Sequence, residues 1–363
     1  MRWPWKRLGS SDLLVVSWAA QTLSYVLARS RGGSTYEILK LGVERQGDDS
    51  MEDFLRRLQG LGLKGREAYV MLRPEQYQVL QIDAPAVPPE ELRAAARYQI
   101  REMLESHVDD VTLDVMRVGD GQQKGAGNLF VVTATNVVVR GVLELCTAMH
   151  WTVSVIDIQE TAQRNLQSAL VAREGRSDRA NAALVLVEGH QAVLTISANE
   201  ELFYTRRLEV SEQFLAEAWG QQDDRAATGP GDGFAPVEEY VPDYSVGGVS
   251  YGNDYSEPRA ARQASQAGLA GDGEGAQRFL VEVQRSLDVW DRTWSSMPLN
   301  GVTVYAGHRT QELAQWLGVQ LGQTVIPMDL STLFSGFKMG QVDGHALCLP
   351  LLGILMRTED RKL

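Results

Sequence analysis

Cysteine is nearly absent. Cys146 and Cys348 are the only two among 363 residues, too few for a disulfide framework. Histidine is sparse as well: His107, His150, His190, His308 and His345 are scattered, and no two stand at helical or hairpin ligand spacing. That argues against a zinc site. Long apolar runs are missing. Leu13 to Ala20 is broken by Ser17, and Leu347 to Met356 carries Pro350 and Gly353, whereas a membrane-spanning helix needs about 20 apolar residues. The basic stretch Met1 to Arg7 is not followed by an unbroken apolar core with a cleavage site, so no secretory signal is predicted. Positive charge is in deficit. Lys and Arg number 35 against 47 Asp and Glu, a net charge of −12, which disfavours a sequence-independent nucleic-acid binder. These absences predict a soluble, cytoplasmic protein.

What is there is ordinary globular composition, 44% apolar and 23% charged, at a length that predicts two domains or lobes. One segment departs from it. Residues 221–275 hold ten glycines, ten acids and three arginines, and Leu269 is their only Leu, Ile or Met. Such a stretch buries too little apolar surface to offset the entropy of ordering, and it is predicted to be disordered. Its tyrosines, Tyr240, Tyr244, Tyr251 and Tyr255, read as solvated, the alternative being a docking motif.

The remainder alternates strands and helices. Strands are predicted at 69–72, 79–82, 111–118, 129–134, 153–156 and 302–306. Helices are predicted at 92–104, 138–149, 160–170, 212–218, 279–294, 312–321 and 347–357. Pro88 and Pro89 precede the first of these, where proline suits the opening turn. In the long one, Phe279, Leu280, Val283, Leu287, Trp290 and Trp294 form a wide apolar stripe. The class is α/β.

The sequence also carries a repeat. Leu14–Tyr25 (LVVSWAAQTLSY) and Val185–Ile196 (VLVEGHQAVLTI) align without a gap at an offset of 171 residues. Each reads as strand, polar turn and strand, followed by a hairpin turn (Arg31–Gly33 and Asn199–Glu200) and a third strand. Two related lobes, each opening with a β-meander, are expected, with Ser17 superposing on Glu188.

A pair of lobes opening in this way resembles the two-lobed actin-like (ASKHA) ATPase fold, and the piece at 69–118 is similar to the inserted β-α-β subdomain of its FtsA and PilM branch. Three segments sharpen the likeness to PilM-like proteins of MSHA-type type IV pilus assembly: LRPEQYQVLQIDAPAVPPEELRAAARYQIREML (72–104), VIDIQETAQRNL (155–166) and CLPLLGILMR (348–357). The implied organisation is a first lobe beginning at 1–68, the inserted subdomain at 69–120, and first-lobe completion with a crossover at 121–180. A second lobe would start at 181–220, be interrupted by 221–275 and finish at 276–363.

The resembled fold binds nucleotide between its lobes, using glycines that let backbone N–H groups approach phosphates and an aspartate in each phosphate turn for Mg²⁺. Here the first turn, Ser17–Gln21, has neither acid nor glycine, and Trp18 would block it if it pointed inward. The second turn keeps Glu188 and Gly189, beside His190. The adenosine-side loop reads Ala306–Gly307–His308. Glu188, Gly189 and Gly307 are therefore the candidate nucleotide residues, ATP with Mg²⁺ is the ligand the resemblance allows, and no catalytic or metal residue is assigned. Negligible ATPase activity is expected. No nucleophile elbow, P-loop or GxGxxG offers other chemistry.

The expected role is a cytoplasmic assembly adaptor, peripheral to the inner membrane, that docks on the tail of a bitopic PilN-like pilus protein along strands 13–43 and the 69–118 piece. The alternative is a nucleotide-dependent enzyme: an ATPase of the pilus or type II secretion platform, or a small-metabolite kinase of the same superfamily. The secretion protein itself would continue into a membrane helix beyond Leu363. At the N-terminus, Trp3 and Trp5 among Arg2, Lys6 and Arg7 are expected to pack on their own lobe, the alternative being transient contact with anionic lipid, and Pro4 prevents an amphipathic helix.

Overall fold

The computed structural model describes residues 12–32, 35–119, 127–175, 179–187, 191–211, 213–217, 219, 274–343 and 345–358. In the first half the chain runs β1 (Asp12–Ala19), β2 (Thr22–Gly32), β3 (Thr35–Arg45), α1 (Met51–Gly60), β4 (Glu67–Leu72), β5 (Gln78–Asp83), α2 (Leu92–Gln99), β6 (Val111–Arg117), β7 (Asn128–Thr135), α3 (Asn136–Ala148), β8 (Thr152–Ile158) and α4 (Gln159–Glu174). The second half runs β9 (Ala180–Leu186), β10 (Gln191–Ala198), β11 (Glu201–Glu209), α5 (Glu274–Thr293), β12 (Leu299–Tyr305), α6 (Thr310–Leu321), β13 (Val325–Pro327), β14 (Phe334–Ser335), α7 (Gly340–Asp343) and α8 (Leu349–Leu355).

Two large sheets share one strand order. In the first, β3-β2-β1-β4-β8 places an antiparallel meander beside two parallel crossover strands. In the second, β11-β10-β9-β12-β13 repeats that order and those directions. The expected duplication is present at the level of topology. A further strand, β14, joins the first sheet parallel to β3, although it comes from the second half of the chain.

Burial explains the local choices. β1 and β9 are covered on both faces, so they read as nearly continuous apolar runs, as parallel-sheet strands do. Helix α1 starts where the Ser50 hydroxyl accepts the Asp53 N–H at 3.1 Å, and it buries Phe54 and Leu58 one turn apart. Helix α5 inserts Phe279, Val283, Leu287 and Trp290 into the second-lobe core.

At the centre the helices change sides. Helix α4 follows β8 of the first sheet but packs on β10 and β11 of the second, while α8 packs on β1, β2 and β4 of the first. The two helices meet at Gly353, where a β-carbon would lie 2.1 Å from the Ala162 carbonyl oxygen. Only glycine permits that approach.

Several expectations need correction. Residues 69–72 lie in β4, in the middle of the first large sheet between β1 and β8. Residues 129–134, expected to complete the first lobe, instead form the central strand of a three-stranded sheet, β5-β7-β6, that α2 covers. Both are short apolar strands, and only long-range pairing decides which sheet each joins. The helix predicted to 104 ends at Gln99. Residues 213–217 form successive turns. The last helix begins at Leu349, with Pro350 in its opening turn. Within 221–275 only Glu274 and Gly275 are described, and they open α5; the rest of the segment predicted to be disordered, and the N-terminal Trp3 and Trp5, lie outside the described residues.

Candidate functional site

The first expected phosphate turn is occupied by strand. β1 and β2 stay paired to Ala19↔Thr22, and the connection is a two-residue turn, Ala20 (φ 46) and Gln21 (φ 57). Both residues sit in the left-handed region that side chains rarely adopt. Ser17 therefore lies within the ladder opposite Ser24, and both are fully buried. Among the described residues neither hydroxyl has a hydrogen-bond partner. Trp18 turns the other way and packs against Phe54 at 5.4 Å. The hairpin carbonyls are held within the same half of the chain: Gln76 Nε2 donates to Trp18 O at 2.8 Å, and an Arg73 guanidinium nitrogen donates to Thr22 O at 2.9 Å.

Glu188, Gly189 and His190 lie outside the described residues. The flanking register nonetheless corrects the gap-free alignment. An offset of 171 maps the pair Ser17↔Ser24 onto Glu188 and Thr195, yet Thr195 pairs with Ala183. The second hairpin loop is the longer one, so a single offset of 171 cannot hold on both strands. Gly307 (φ 58) sits in a turn that closes on itself: Thr310 donates its hydroxyl to Gly307 O at 2.6 Å and accepts the Ala306 N–H at 2.9 Å. Neighbouring Arg309 faces Trp219, 3.8 Å above the ring, and donates to Leu215 O and Glu217 O. Of the three candidate nucleotide residues, only Gly307 can be placed, and nothing described joins it to Ser17.

What the fold does assemble between the halves is a buried polar network on the first turns of α4. Glu160 is fully buried and accepts hydrogen bonds from the Tyr77 hydroxyl and from Arg207 of β11, the latter at 3.2 and 3.3 Å. Arg207 also donates to Pro74 O (2.5 Å) and Tyr77 O (3.0 Å), and its guanidinium lies 4.4 Å over the Tyr77 ring. Burial, then the adjacent Glu160, pushes the Tyr77 hydroxyl well above its ordinary value of 10.0. Burial works against the charge on Arg207, but Glu160 and Tyr77 outweigh it and the net direction is upward. Along the same helix, Gln163 donates to Val193 O (3.1 Å) and Thr195 (3.2 Å), and Gln167 donates to Asn181 O (2.7 Å). Asp157 accepts from Thr161 and from Arg357, the latter at 2.5 Å. Both buried carboxylates are committed to donors within the network, Glu160 to Tyr77 and Arg207 and Asp157 to Thr161 and Arg357. Among the described residues no group of three or more His, Cys, Asp or Glu is placed to hold a metal ion. Sequence reasoning missed Tyr77, Glu160 and Arg207; the first two lie in the segments 72–104 and 155–166 that carried the likeness, and Arg207 lies in none of them.

A second feature faces outward. One side of α3, at Val139, Arg140, Leu143, Glu144 and Thr147, forms with Thr112 of β6 an open groove of about 560 Å³. These positions recur at helical spacing, so they make one continuous face. Val137 is 75% exposed and Leu143 37%. Asn136 ties the groove's end together, accepting from Thr112 at 2.9 Å and donating to Asp109 O at 3.0 Å.

No family model and no curated protein matches the sequence. Among solved structures, a PilM–PilN type IV pilus biogenesis complex matches with a TM-score of 0.59 and 17% identity, over 95% of this chain and 99% of that one. The cytoplasmic domain of EpsL, an inner-membrane component of the type II secretion system of Vibrio cholerae, matches with a TM-score of 0.40 and 15% identity over 59% of this chain and 79% of that one. A Bacteroides thetaiotaomicron protein with an actin-like ATPase fold and unknown function reaches 0.45 and 9% over 93% and 95%. With two sheets of one strand order exchanging their central helices, this chain has the two-lobed actin-like fold.

Proposed function

We propose that the protein is a non-catalytic assembly adaptor of a type IV pilus inner-membrane platform, of the MSHA type and equivalent to MshI, which docks on the short cytoplasmic tail of a bitopic PilN-like protein. The observation that carries this reading is the match to the PilM–PilN complex along nearly the whole of both chains. Among the described residues no helix is long and apolar enough to cross a membrane, so attachment through a partner fits. The groove of α3 and β6 is the proposed seat of the tail. It offers apolar anchor points at Val139 and Leu143, flanked by the charges of Arg140 and Glu144, the pattern an extended peptide needs for a few anchors and a fixed register. That seat differs from strands 13–43 and moves the docking surface onto a helix.

The nucleotide-dependent alternative is disfavoured by the tight Ala20–Gln21 turn, which leaves no loop to surround a phosphate. Two measurements test the reading. A labelled peptide of the PilN-like tail should bind the purified protein, and Leu143→Asp should weaken binding by roughly tenfold or more, the effect of losing one buried anchor. Unchanged affinity would move the seat elsewhere. Mg²⁺-ATP should leave the melting temperature unchanged, whereas a rise would establish nucleotide binding to the native state and favour the ATPase.

A further inference from the structure

Edge strand β11 of the second sheet is gripped near both ends by residues from the first half of the chain. Toward its end, Arg207 spends its guanidinium on Glu160, Pro74 O and Tyr77 O and covers the Tyr77 ring. At its start, the Gly119 N–H donates to Leu202 O at 2.9 Å, and Val118, Phe130 and Leu202 form a small buried cluster backed by Trp294. Gly119 has φ +63, and a β-carbon there would stand 2.4 Å from the Phe203 ring. Glycine alone lets the small sheet close on the strand. From Leu202 to Arg207 an extended strand covers roughly 17 Å, so the two grips are well separated.

We infer that β11 is a fastening strand, and that its two grips hold the lobes at one relative position which a nucleotide does not reset. Two separated attachments remove the rotation that a single hinge would allow. Opening the first grip would pull Arg207 from a fully buried Glu160 and strand that carboxylate beside the Tyr77 hydroxyl alone. Opening the second would break the Gly119–Leu202 hydrogen bond and expose Val118 and Phe130. Both grips act on one strand, so loosening either leaves the lobes free to rotate about the other. This inference does not use the α3 groove and stands or falls apart from the docking reading.

The test is a spin-label distance between Arg56→Cys on α1 and Val319→Cys on α6, whose parent side chains are exposed. Native Cys146 and Cys348 are buried, so the label enters the introduced thiols. The parent should give a single narrow distance distribution that Mg²⁺-ATP leaves unchanged. Arg207→Met and Gly119→Val should each broaden it by roughly twofold, as an unfastened pair of lobes samples hinge motion. If either variant fails to fold, Arg207→Lys and Tyr77→Phe carry the test, since each keeps bulk while loosening one grip. A broad parent distribution, one that narrows with Mg²⁺-ATP, or distributions that no folded variant changes would overturn the inference.

Discussion

Helices α4 and α8 each lie on the sheet of the opposite half of the chain, yet they bury opposite chemistry. Helix α8 is apolar throughout, with Leu349, Leu351, Leu352, Ile354 and Leu355 all buried. Helix α4 buries Gln159, Glu160, Gln163, Arg164, Asn165 and Gln167. Apolar contact is non-directional and tolerates sliding; a buried hydrogen-bonded network is satisfied in one register. The second sheet meets α4 accordingly, with Thr195 donating to Gln167 and accepting from Gln163. Adhesion between the halves therefore comes from α8, and their alignment from α4.

Glu160→Ala should produce the largest effect, a loss of about 3–5 kcal/mol, because it leaves the Arg207 charge without its carboxylate. Leu352→Ala should cost about 3 kcal/mol through transfer and cavity terms. Urea unfolding at constant m-value measures both. A smaller loss for Glu160→Ala than for Leu352→Ala would break the assignment of alignment to α4. The pH dependence is smaller and separates the helices further. The Tyr77 hydroxyl is held well above its ordinary 10.0, so its contribution is complete below that pH and declines as pH climbs beyond it, where the unfolded chain has lost the proton and the native one has not. Tyr77→Phe should flatten the alkaline fall in stability, and Leu352→Ala should leave the slope alone. The smallest effect belongs to Ser17→Ala. Ser17 shares a strand face with Val15, which packs in the cluster containing α8, and its hydroxyl has no partner among the described residues. The change should lie within about 0.5 kcal/mol of neutral or stabilise slightly. A loss above 1 kcal/mol would show, to about that precision, that the α8 side also depends on directional contacts.

The repeated meander was legible because hydrophobic alternation and turn residues are local signals, and Asn199–Glu200 did form the tight turn (φ 51 and 66) read from the sequence. Helix α1 and strands β13 and β14 went unread; the last two are three and two residues long, too short for a periodic pattern. The offset of the repeat misled because side-chain pattern survives a change in hairpin length while pairing does not. The site was harder still. Tyr77, Glu160 and Arg207 are up to 130 residues apart in sequence, and Gln-Glu-Thr-Ala-Gln reads as a solvated helix face until another sheet covers it. Glu188 and Gly189 lie outside the described residues, while Gly307 stands in the turn after β12.

The exchange of α4 and α8 also dictates an order of events during synthesis. When β1 to β8 have emerged, the face bearing Val15, Val26 and Met71 is bare, because its cover, residues 349–355, has not been made. The contact between Ala162 and Gly353 closes across almost the whole second half of the chain. Such long closures are paid in chain entropy before any packing is gained, and they slow the search. Synthesis of residues 349–355, not completion of the first sheet, is then the step that lets the protein commit to its native state. The halves match as a pattern of strands, but as a folding unit there is only one.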